Sequence, residues 1–236
     1  MTGDGNGSVQ LWDIESGREL HRLDEHSNAV TTAMFSPDGR SIFSGGLDHV
    51  LRIWDAESGR QLCCGEGYEH FVTCAAATPD GRHVLTGGFD RTLRLWNAIT
   101  GEEVQRFEGH DDAVICLAIS PDGREAVSGG YDCELRHWDV QTVRLLGTLS
   151  GHTKVVSGVA FSPDGRQLLS SSADVSLRLW DVKDKVEVHR ADFATNPVQC
   201  LAFVPDGTNA SLGCFDNSLR VWDIRSWKEA SRLQNA

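Results

Sequence analysis

Histidine, serine and aspartate recur in this sequence in a fixed order, and together these side chains could perform nucleophilic catalysis. In three stretches a histidine precedes a serine by 18 residues and an aspartate by 22 residues. The three sets are His26, Ser44 and Asp48, then His110, Ser128 and Asp132, and finally His152, Ser170 and Asp174. A catalytic triad is needed once, in one cleft, whereas this set is repeated at identical offsets. We therefore predict that these residues are structural and that the chain is not an enzyme.

Tryptophan shows the period of the elements that must position these residues. It recurs every 42 residues, at Trp12, Trp54, Trp96, Trp138, Trp180 and Trp222. The 236 residues do not hold a whole number of such repeats. An unbroken period of this length indicates one repeat architecture, so we predict a single domain over residues 1–236.

Each complete repeat contains a Pro-Asp-Gly turn between two short apolar segments. These turns lie at residues 36–39, 78–81, 120–123, 162–165 and 204–207. Proline fixes the backbone angle that a type I turn needs at its second position, and glycine suits the fourth, so each turn is a hairpin corner. A third segment ends at the recurring tryptophan, and a fourth follows another short turn. The sequence therefore predicts an all-β chain with four antiparallel strands per repeat.

Two dipeptide motifs recur in register with this period. Trp-Asp occurs at residues 12–13, 54–55, 138–139, 180–181 and 222–223, and Gly-His at residues 109–110 and 151–152. With these motifs the chain resembles the WD-repeat β-propeller family, in a bacterial style of repeat protein. The resemblance implies a half blade at 1–24 and complete blades at 25–66, 67–108, 109–150, 151–192 and 193–236. We expect a fragment of a larger propeller of about seven blades, which more sequence or a second chain would close.

The resemblance also implies a hydrogen-bond network inside each blade. Its complete sets are His26, Ser44, Asp48 and Trp54; His110, Ser128, Asp132 and Trp138; and His152, Ser170, Asp174 and Trp180. Two repeats depart from this pattern, since Tyr68 fills one histidine position and Ala194 with Leu212 removes two members of another set. We expect those two blades to be the least stable, because an unpaired buried polar group costs about 1 to 3 kcal/mol.

The first strand of each blade lines the central channel in the resembled family, where catalytic propellers place their chemistry. Apart from cysteine, the five corresponding segments contain no ionisable side chain, so they offer no general acid, base or carboxylate metal ligand. We expect no catalytic residue, no cofactor and no metal site. An alternative remains open, in which the chain is the sensory or substrate-docking propeller of a larger enzyme such as a bacterial protein kinase or protease.

Bulky apolar residues precede the aspartate of the turn between the second and third strands. They are Leu47, Phe89, Tyr131 and Phe215, and the resemblance places them on one rim of the propeller with Phe71, Asp111, Asp112 and Lys154 nearby. Such a ring would bind a protein or peptide partner, which makes the chain a non-catalytic interaction scaffold. The competing interpretation is that the rings pack sideways against neighbouring loops, and the sequence favours neither.

The charge balance and the cysteines restrict the partners and the compartment. Lysine and arginine number 22 against 34 acidic residues, which gives a net charge of −12, and the basic residues are dispersed. We therefore expect neither nucleic acid nor membrane as a partner. The seven cysteines include three at equivalent repeat positions, too far apart for disulfides, and no signal peptide opens the sequence. These features predict a cytoplasmic protein with free thiols.

Two residues depart from the period without an obvious role. His137 occupies a third-strand position that is aliphatic in the other repeats, and a locally hydrogen-bonded strand histidine is the expected explanation, with partner contact or pH sensing as the alternative. Trp227 replaces the glycine found in the corresponding turn of three repeats. It either anchors a partner or covers the end of its sheet.

Overall fold

A computed structural model describes residues 1–193 and 197–234 as an all-β protein. These residues form 23 strands in six antiparallel sheets, which confirms the predicted fold class. The chain divides into two compact units, Met1–Val114 and Ile115–Ala236. None of the described residues lies in a helix of the length and apolar character needed to cross a membrane.

The first unit contains three sheets. The first sheet comprises β1 (Thr2–Gly3), β2 (Val9–Trp12) and β3 (Glu19–Leu23). The second comprises β4 (Val30–Phe35), β5 (Ser41–Gly46), β6 (Leu51–Asp55) and β7 (Gln61–Gly65). The third comprises β8 (Val72–Ala77), β9 (His83–Gly88), β10 (Leu93–Asn97) and β11 (Glu103–Phe107). In each sheet the strands pair in sequence order.

The second unit contains three further sheets with the same strand order. The fourth sheet comprises β12 (Val114–Ile119), β13 (Glu125–Gly130), β14 (Leu135–Asp139) and β15 (Arg144–Leu149). The fifth comprises β16 (Val156–Phe161), β17 (Gln167–Ser172), β18 (Ser176–Asp181) and β19 (Val186–Asp192). The sixth comprises β20 (Val198–Phe203), β21 (Asn209–Cys214), β22 (Ser218–Asp223) and β23 (Lys228–Gln234).

The Pro-Asp-Gly corners hold the first two strands of each four-stranded sheet together. In the corner after β4, the Ser36 hydroxyl donates to Asp38 Oδ1 at 2.6 Å and accepts the Ser41 N–H at 2.9 Å. Gly39 has a φ of 73°, which is the left-handed region where a side chain would be strained. The same hydroxyl-to-carboxylate bond recurs in the corners that follow β8, β12 and β16.

The core lies between neighbouring sheets of each unit. Trp54 is fully buried and clusters with Val9, Leu11 and Leu23 of the preceding sheet. In the second unit Trp180 clusters in the same way with residues of the fourth sheet. Because each inner strand is covered on both faces, the second strand of the second to fifth sheets is almost wholly buried, which explains its continuous apolar and small residues.

A β-bulge accompanies every recurring tryptophan. The register between the third and fourth strands shifts between Ile53 and Trp54, and it shifts at the equivalent position of all six sheets. A bulge increases the local twist of a strand pair, so the outer strand turns away from the inner three.

Candidate functional site

The predicted hydrogen-bond residues come from four places in each sheet. The histidine lies in the loop before the first strand, the serine in the second strand, the aspartate in the turn after it and the tryptophan in the third strand. The strand order brings the second and third strands side by side, and the register makes the serine and the tryptophan diagonal neighbours: Ser44 pairs with Arg52, and Trp54 pairs with Ile42. The loop and the turn lie at the same end of the sheet, which brings the histidine to the aspartate.

In the first unit, the set around Ser44 forms a continuous chain of hydrogen bonds. Trp54 Nε1 donates to Ser44 Oγ at 2.8 Å, and Ser44 Oγ lies 2.7 Å from His26 Nε2. His26 Nδ1 lies 2.9 Å from both carboxylate oxygens of Asp48. The Ser27 N–H donates to the same carboxylate at 3.2 Å. Each polar atom of the chain therefore has a partner.

The direction of these hydrogen bonds follows from the donors. The indole of Trp54 can only donate, so the Ser44 oxygen accepts from it and sends its own proton to His26 Nε2. His26 Nδ1 then carries the proton that Asp48 accepts. This is the geometry of a Ser-His-Asp triad, but Ser44 is fully buried and its oxygen is occupied by the indole. A substrate carbonyl cannot reach it, so the set does not act as a nucleophile.

The set around Ser170 in the second unit has the same form. Trp180 Nε1 donates to Ser170 Oγ at 2.8 Å, and Ser170 Oγ lies 2.8 Å from His152 Nε2. His152 Nδ1 lies 3.1 Å from Asp174 Oδ2, which also accepts the Thr153 N–H at 3.0 Å. A complete chain of hydrogen bonds is thus present in each of the two units.

The remaining complete set of the sequence is divided between the two units. His110 is buried in the first unit, and Ser128, Asp132 and Trp138 lie in the second. Trp138 Nε1 donates to Ser128 Oγ at 2.8 Å, as its equivalents do. The participation of His110 stays a prediction.

Tyr68 replaces the histidine in the third sheet and keeps part of the chain of hydrogen bonds. Its hydroxyl lies 2.5 Å from Thr86 Oγ1, which accepts from Trp96 Nε1 at 2.6 Å. Arg94 Nη2 donates a hydrogen bond to Asp90 Oδ2 at 2.8 Å, and the Arg94 guanidinium lies 4.1 Å from the centre of the Tyr68 ring. The substitution therefore removes the imidazole–carboxylate bond and leaves Asp90 paired with a guanidinium that the Tyr68 ring covers.

The sixth sheet lacks the hydroxyl. Leu212 fills the serine position, and Trp222 Nε1 is buried without a hydrogen-bond partner among the described residues. Asp216 instead accepts from Ser218 Oγ, which lowers its pKa to about 2 with help from Arg220 Nη2 at 2.7 Å. Ala194, at the histidine position, lies outside the described residues. The prediction that the third and sixth sheets are the least stable stays open.

Burial sets the protonation of the two complete chains of hydrogen bonds. Desolvation lowers the pKa of His26 and His152 below the ordinary 6.5, although Asp48 and Asp174 act in the opposite direction. Burial alone would raise the pKa of both aspartates, but hydrogen bonds to the carboxylates outweigh burial and lower it. The largest lowering contribution comes from His26 for Asp48, and from Ser176 and the Thr153 N–H for Asp174. The folded protein therefore holds neutral imidazoles beside ionised carboxylates.

A loss of stability on mild acidification follows from the lowered histidine pKa values. The unfolded chain binds protons at His26 and His152 below about pH 6.5 more readily than the folded chain does, so the unfolding midpoint should fall as the pH drops below about 6.5. A second loss should follow below the ordinary aspartate pKa of 3.8. Thermal unfolding followed by circular dichroism checks this. A flat profile down to about pH 5 would contradict the assignment.

The predicted rim residues lie at the ends of the sheets where the second strand turns into the third. In the first unit, Phe89 is 42% exposed and its ring centre lies 5.9 Å from that of the half-buried Phe71. The Phe89 N–H donates to the Phe71 carbonyl at 2.9 Å, which ties the turn to the preceding loop. Leu47 is half-buried in the equivalent turn. Asp111 and Asp112 are exposed in the following loop.

Two histidines that the sequence did not indicate complete an aromatic cluster at this rim. His49 lies edge-on to Phe71 with 5.4 Å between ring centres, and His70 contacts Phe89 at 6.2 Å. We call these four residues, His49, His70, Phe71 and Phe89, the aromatic cluster. His49 follows the recurring aspartate at a position where the other repeats carry unrelated residues, and this variability was the signal that could have identified it.

The second unit presents the other predicted rim residues. Tyr131 is 47% exposed and Phe215 is 61% exposed, each in the turn between the second and third strands of its sheet. Lys154 is exposed in the loop before β16. Tyr131 and Phe215 are thus exposed, whereas Phe71 and Phe89 combine exposure with sideways packing. Partner binding at these positions stays a prediction.

The two solitary departures have local partners. His137 Nε2 lies 2.9 Å from Glu125 Oε2 on the neighbouring strand, as expected for a locally bonded strand histidine. Trp227 is half-buried, packs edge-on against Trp222 at 5.7 Å and stacks on His189 at 5.2 Å. Trp227 therefore covers the end of its sheet. No cluster of three metal-binding side chains occurs within residues 1–193 and 197–234.

Comparisons with known proteins place these features in a family. The sequence pattern described as WD domain, G-beta repeat matches residues 17–55, 59–97, 101–139, 143–181 and 185–223, which together are most of the chain. Such repeats typically mediate protein–protein interaction and are generally non-catalytic.

Two curated relatives match short segments of the chain. The chain is 38% identical over 50 residues to autophagy-related protein 16 of Arabidopsis thaliana, and 31% identical over 48 residues to eukaryotic translation initiation factor 3 subunit I of Culex quinquefasciatus. These segments cover 21% and 20% of this chain and only 10% and 15% of those proteins. Both relatives are eukaryotic, so they do not support the predicted bacterial style. The five matched repeats and the six antiparallel sheets show that the chain belongs to the WD40-repeat family.

Proposed function

We propose that the chain is a non-catalytic scaffold that binds a protein or peptide through the turns at its rim. The observation that carries this proposal is the exposed aromatic cluster of the first unit. Tyr131 and Phe215, exposed on the equivalent turns of the second unit, support it independently. The role of WD40 repeats in protein–protein interaction agrees with this use of the turns.

The geometry of the aromatic cluster suits a binding surface. The ring centres of Phe71 and Phe89 lie 5.9 Å apart, and the contacts with His49 and His70 restrict the rotation of both rings. A partner would therefore bury aromatic surface without first having to order it, which reduces the entropic cost of binding. Aromatic side chains in such positions supply a large share of the binding energy at protein interfaces.

The charges beside the cluster indicate the chemistry of the partner. Glu69, Asp111 and Asp112 are exposed in the loops of the same unit, and Arg91 is the exposed cation of the Phe89 turn. With a chain charge of −12, this surface attracts basic residues. The partner segment we expect has an apolar anchor flanked by lysine or arginine.

Substituting Phe89 by aspartate tests the proposal. The variant should lose partners that the parent protein recovers from a lysate of its host, because a carboxylate would be buried against the partner. The matched control is Ile99→Asp: Ile99 is 80% exposed, but it lies in a turn at the opposite end of the same sheet. Tyr131→Asp repeats the test in the second unit. Unchanged recovery by a Phe89→Asp protein with the parent unfolding midpoint would reject the rim as the binding surface.

We also propose that the protein works in a reducing compartment such as the cytoplasm. All seven cysteines carry free thiols, and burial raises the pKa of the Cys74 thiol to about 12. A thiol with so high a pKa resists oxidation and does not act as a nucleophile at neutral pH. The alternative assignment, the docking propeller of a larger enzyme, remains an untested prediction.

A further inference from the structure

A cleft of about 540 Å³ lies between the fourth and fifth sheets, inside the second unit. Its lining includes Glu125, His137, Arg166, Asp181, Lys183 and Lys185. The hairpin corner after β16 and the turn after β18 form one wall, so the cleft lies at the end of the sheets opposite to the rim. Neither the predicted network nor the rim uses any of these residues.

His137 is the first unusual member of this cleft. Its side chain is 4% exposed, and Nε2 is bonded to Glu125, but Nδ1 is buried without a partner among the described residues. The other repeats place an aliphatic residue at this position. Those residues are Leu11, Ile53, Leu95, Leu179 and Val221. An orphaned ring nitrogen costs about 1 to 3 kcal/mol, so an aliphatic side chain would be the more stable choice for a purely structural position.

Gly147 and Lys185 form the second unusual feature. Gly147 pairs directly with His137 across the strands, and side chains of such a pair point to the same face. A Cβ atom at position 147 would lie 2.7 Å from Cδ and Cε of Lys185. The Lys185 stem therefore fills the space beside the His137 ring. Movement of this flexible side chain would open the ring nitrogen to the cleft and bring an ammonium group to it.

Charge distinguishes this cleft from two sister clefts with the same architecture. Here three cations face two carboxylates. The cleft beside Leu11 has one cation, Arg40, against Asp55 and Glu57. The cleft beside Leu179 also has one arginine against two aspartates, Asp206 and Asp223. Only the His137 cleft among these three is net positive, in a chain whose net charge is −12.

We propose that the His137 cleft binds a small oxyanion. Lys183 and Lys185 supply the charge, and His137 donates a hydrogen bond from Nδ1 to one oxygen of the anion. Glu125 accepts from Nε2 at 2.9 Å, so it orients the ring and balances the imidazolium that forms when both nitrogens carry protons. The ligand thereby supplies the missing partner of Nδ1, which accounts for a polar residue at an aliphatic position.

Phosphate and carboxylate share the required chemistry, so both are tested. Binding of inorganic phosphate and of acetate is measured by calorimetry at one ionic strength fixed with sodium chloride. The first variant, His137→Leu, restores the residue type of the other repeats, and the second, Lys185→Gly, introduces the turn residue of the first three repeats, Gly17, Gly59 and Gly101. Arg225→Gln removes a cation from the sister cleft beside Leu179 and serves as the control.

We expect the parent protein to bind at least one of the two anions with one site per chain. His137→Leu and Lys185→Gly should each weaken binding by about tenfold or more, and Arg225→Gln should leave it unchanged. The anion that binds more tightly identifies the ligand as phosphate or carboxylate. Absence of binding to the parent protein overturns the proposal, and so does undiminished binding to a folded His137→Leu variant, because the anion would then be held by exposed lysines alone.

Discussion

Replacing Ser44 by alanine should lower the free energy of unfolding by about 2 to 5 kcal/mol, because it removes the partner of two buried groups at once. Trp54 Nε1 would lose its acceptor, and His26 Nε2 would lose its donor. Both side chains are buried, so water cannot replace the lost hydroxyl without opening the core. Chemical denaturation followed by tryptophan fluorescence measures the change.

Two further variants separate the hydrogen bonds from other effects of the mutation. Ser27→Ala makes the same chemical change next to His26, but Ser27 is exposed and contacts Asp48 through its backbone N–H, so its stability should stay within about 0.5 kcal/mol of the parent. Ser44→Thr keeps the hydroxyl, as Thr86 does in the third sheet, and should lose less than the alanine variant. Equal stabilities of the Ser44→Ala and Ser27→Ala proteins would show that the buried chain of hydrogen bonds contributes nothing measurable.

Removing the carboxylate of Asp174 should cost about 3 to 5 kcal/mol at neutral pH, since it leaves buried donors unpaired beside a buried cation. The carboxylate accepts from His152 Nδ1, from the Thr153 N–H and from Ser176 Oγ at 2.6 Å. Arg178 lies 3.7 Å from it and is only 5% exposed, although Glu187 at 2.6 Å retains one side of the guanidinium. Asp174→Ala is expected to show this loss in the same denaturation assay.

The loss at Asp174 should also depend on pH with a definite sign. Because the folded carboxylate has a lowered pKa, its stabilisation is complete above the ordinary value of 3.8 and disappears as the pH falls below it. Parent and Asp174→Ala proteins should therefore converge in stability in acid. Asp184→Ala removes an exposed aspartate ten residues further along, serves as the control and should match the parent at neutral pH. A gap that persists unchanged below about pH 3 would contradict the ionised buried carboxylate.

The repeated motifs made the strands and the network readily predictable. The period of the tryptophans located the third strand of each four-stranded sheet, and the Pro-Asp-Gly turns located the hairpin corners. Both depend on local backbone chemistry. Exposure at the rim was harder to predict. Leu47 and Phe89 occupy equivalent turns, yet Leu47 is half-buried, because burial depends on the neighbouring loops rather than on the residue itself.

Residues that lie outside the pattern were the ones the sequence could not place. His49 has a φ of 68°, and Arg91, Cys133, Val175 and Asn217 adopt the same left-handed conformation at the equivalent position. The first repeat has Gly7 at this position with a φ of 90°, but the other five repeats carry no glycine there, so a single residue is the only sign of this shared backbone state in the sequence. The sequence could not show that His137 Nδ1 lacks a hydrogen-bond partner either, because the partners of a side chain depend on which residues surround it in the folded protein.

The pairing of strands only with their neighbours in sequence has a consequence for folding kinetics. Each hairpin closes over a short stretch of chain, so the entropic cost of forming one sheet is small. The recurring tryptophan, however, reaches full burial only against the sheet before it, as Trp54 does against Val9 and Leu11. Individual sheets should therefore form quickly but persist only once a neighbour is in place. Folding within each unit is then expected to nucleate at one pair of sheets and to propagate to the adjacent sheet.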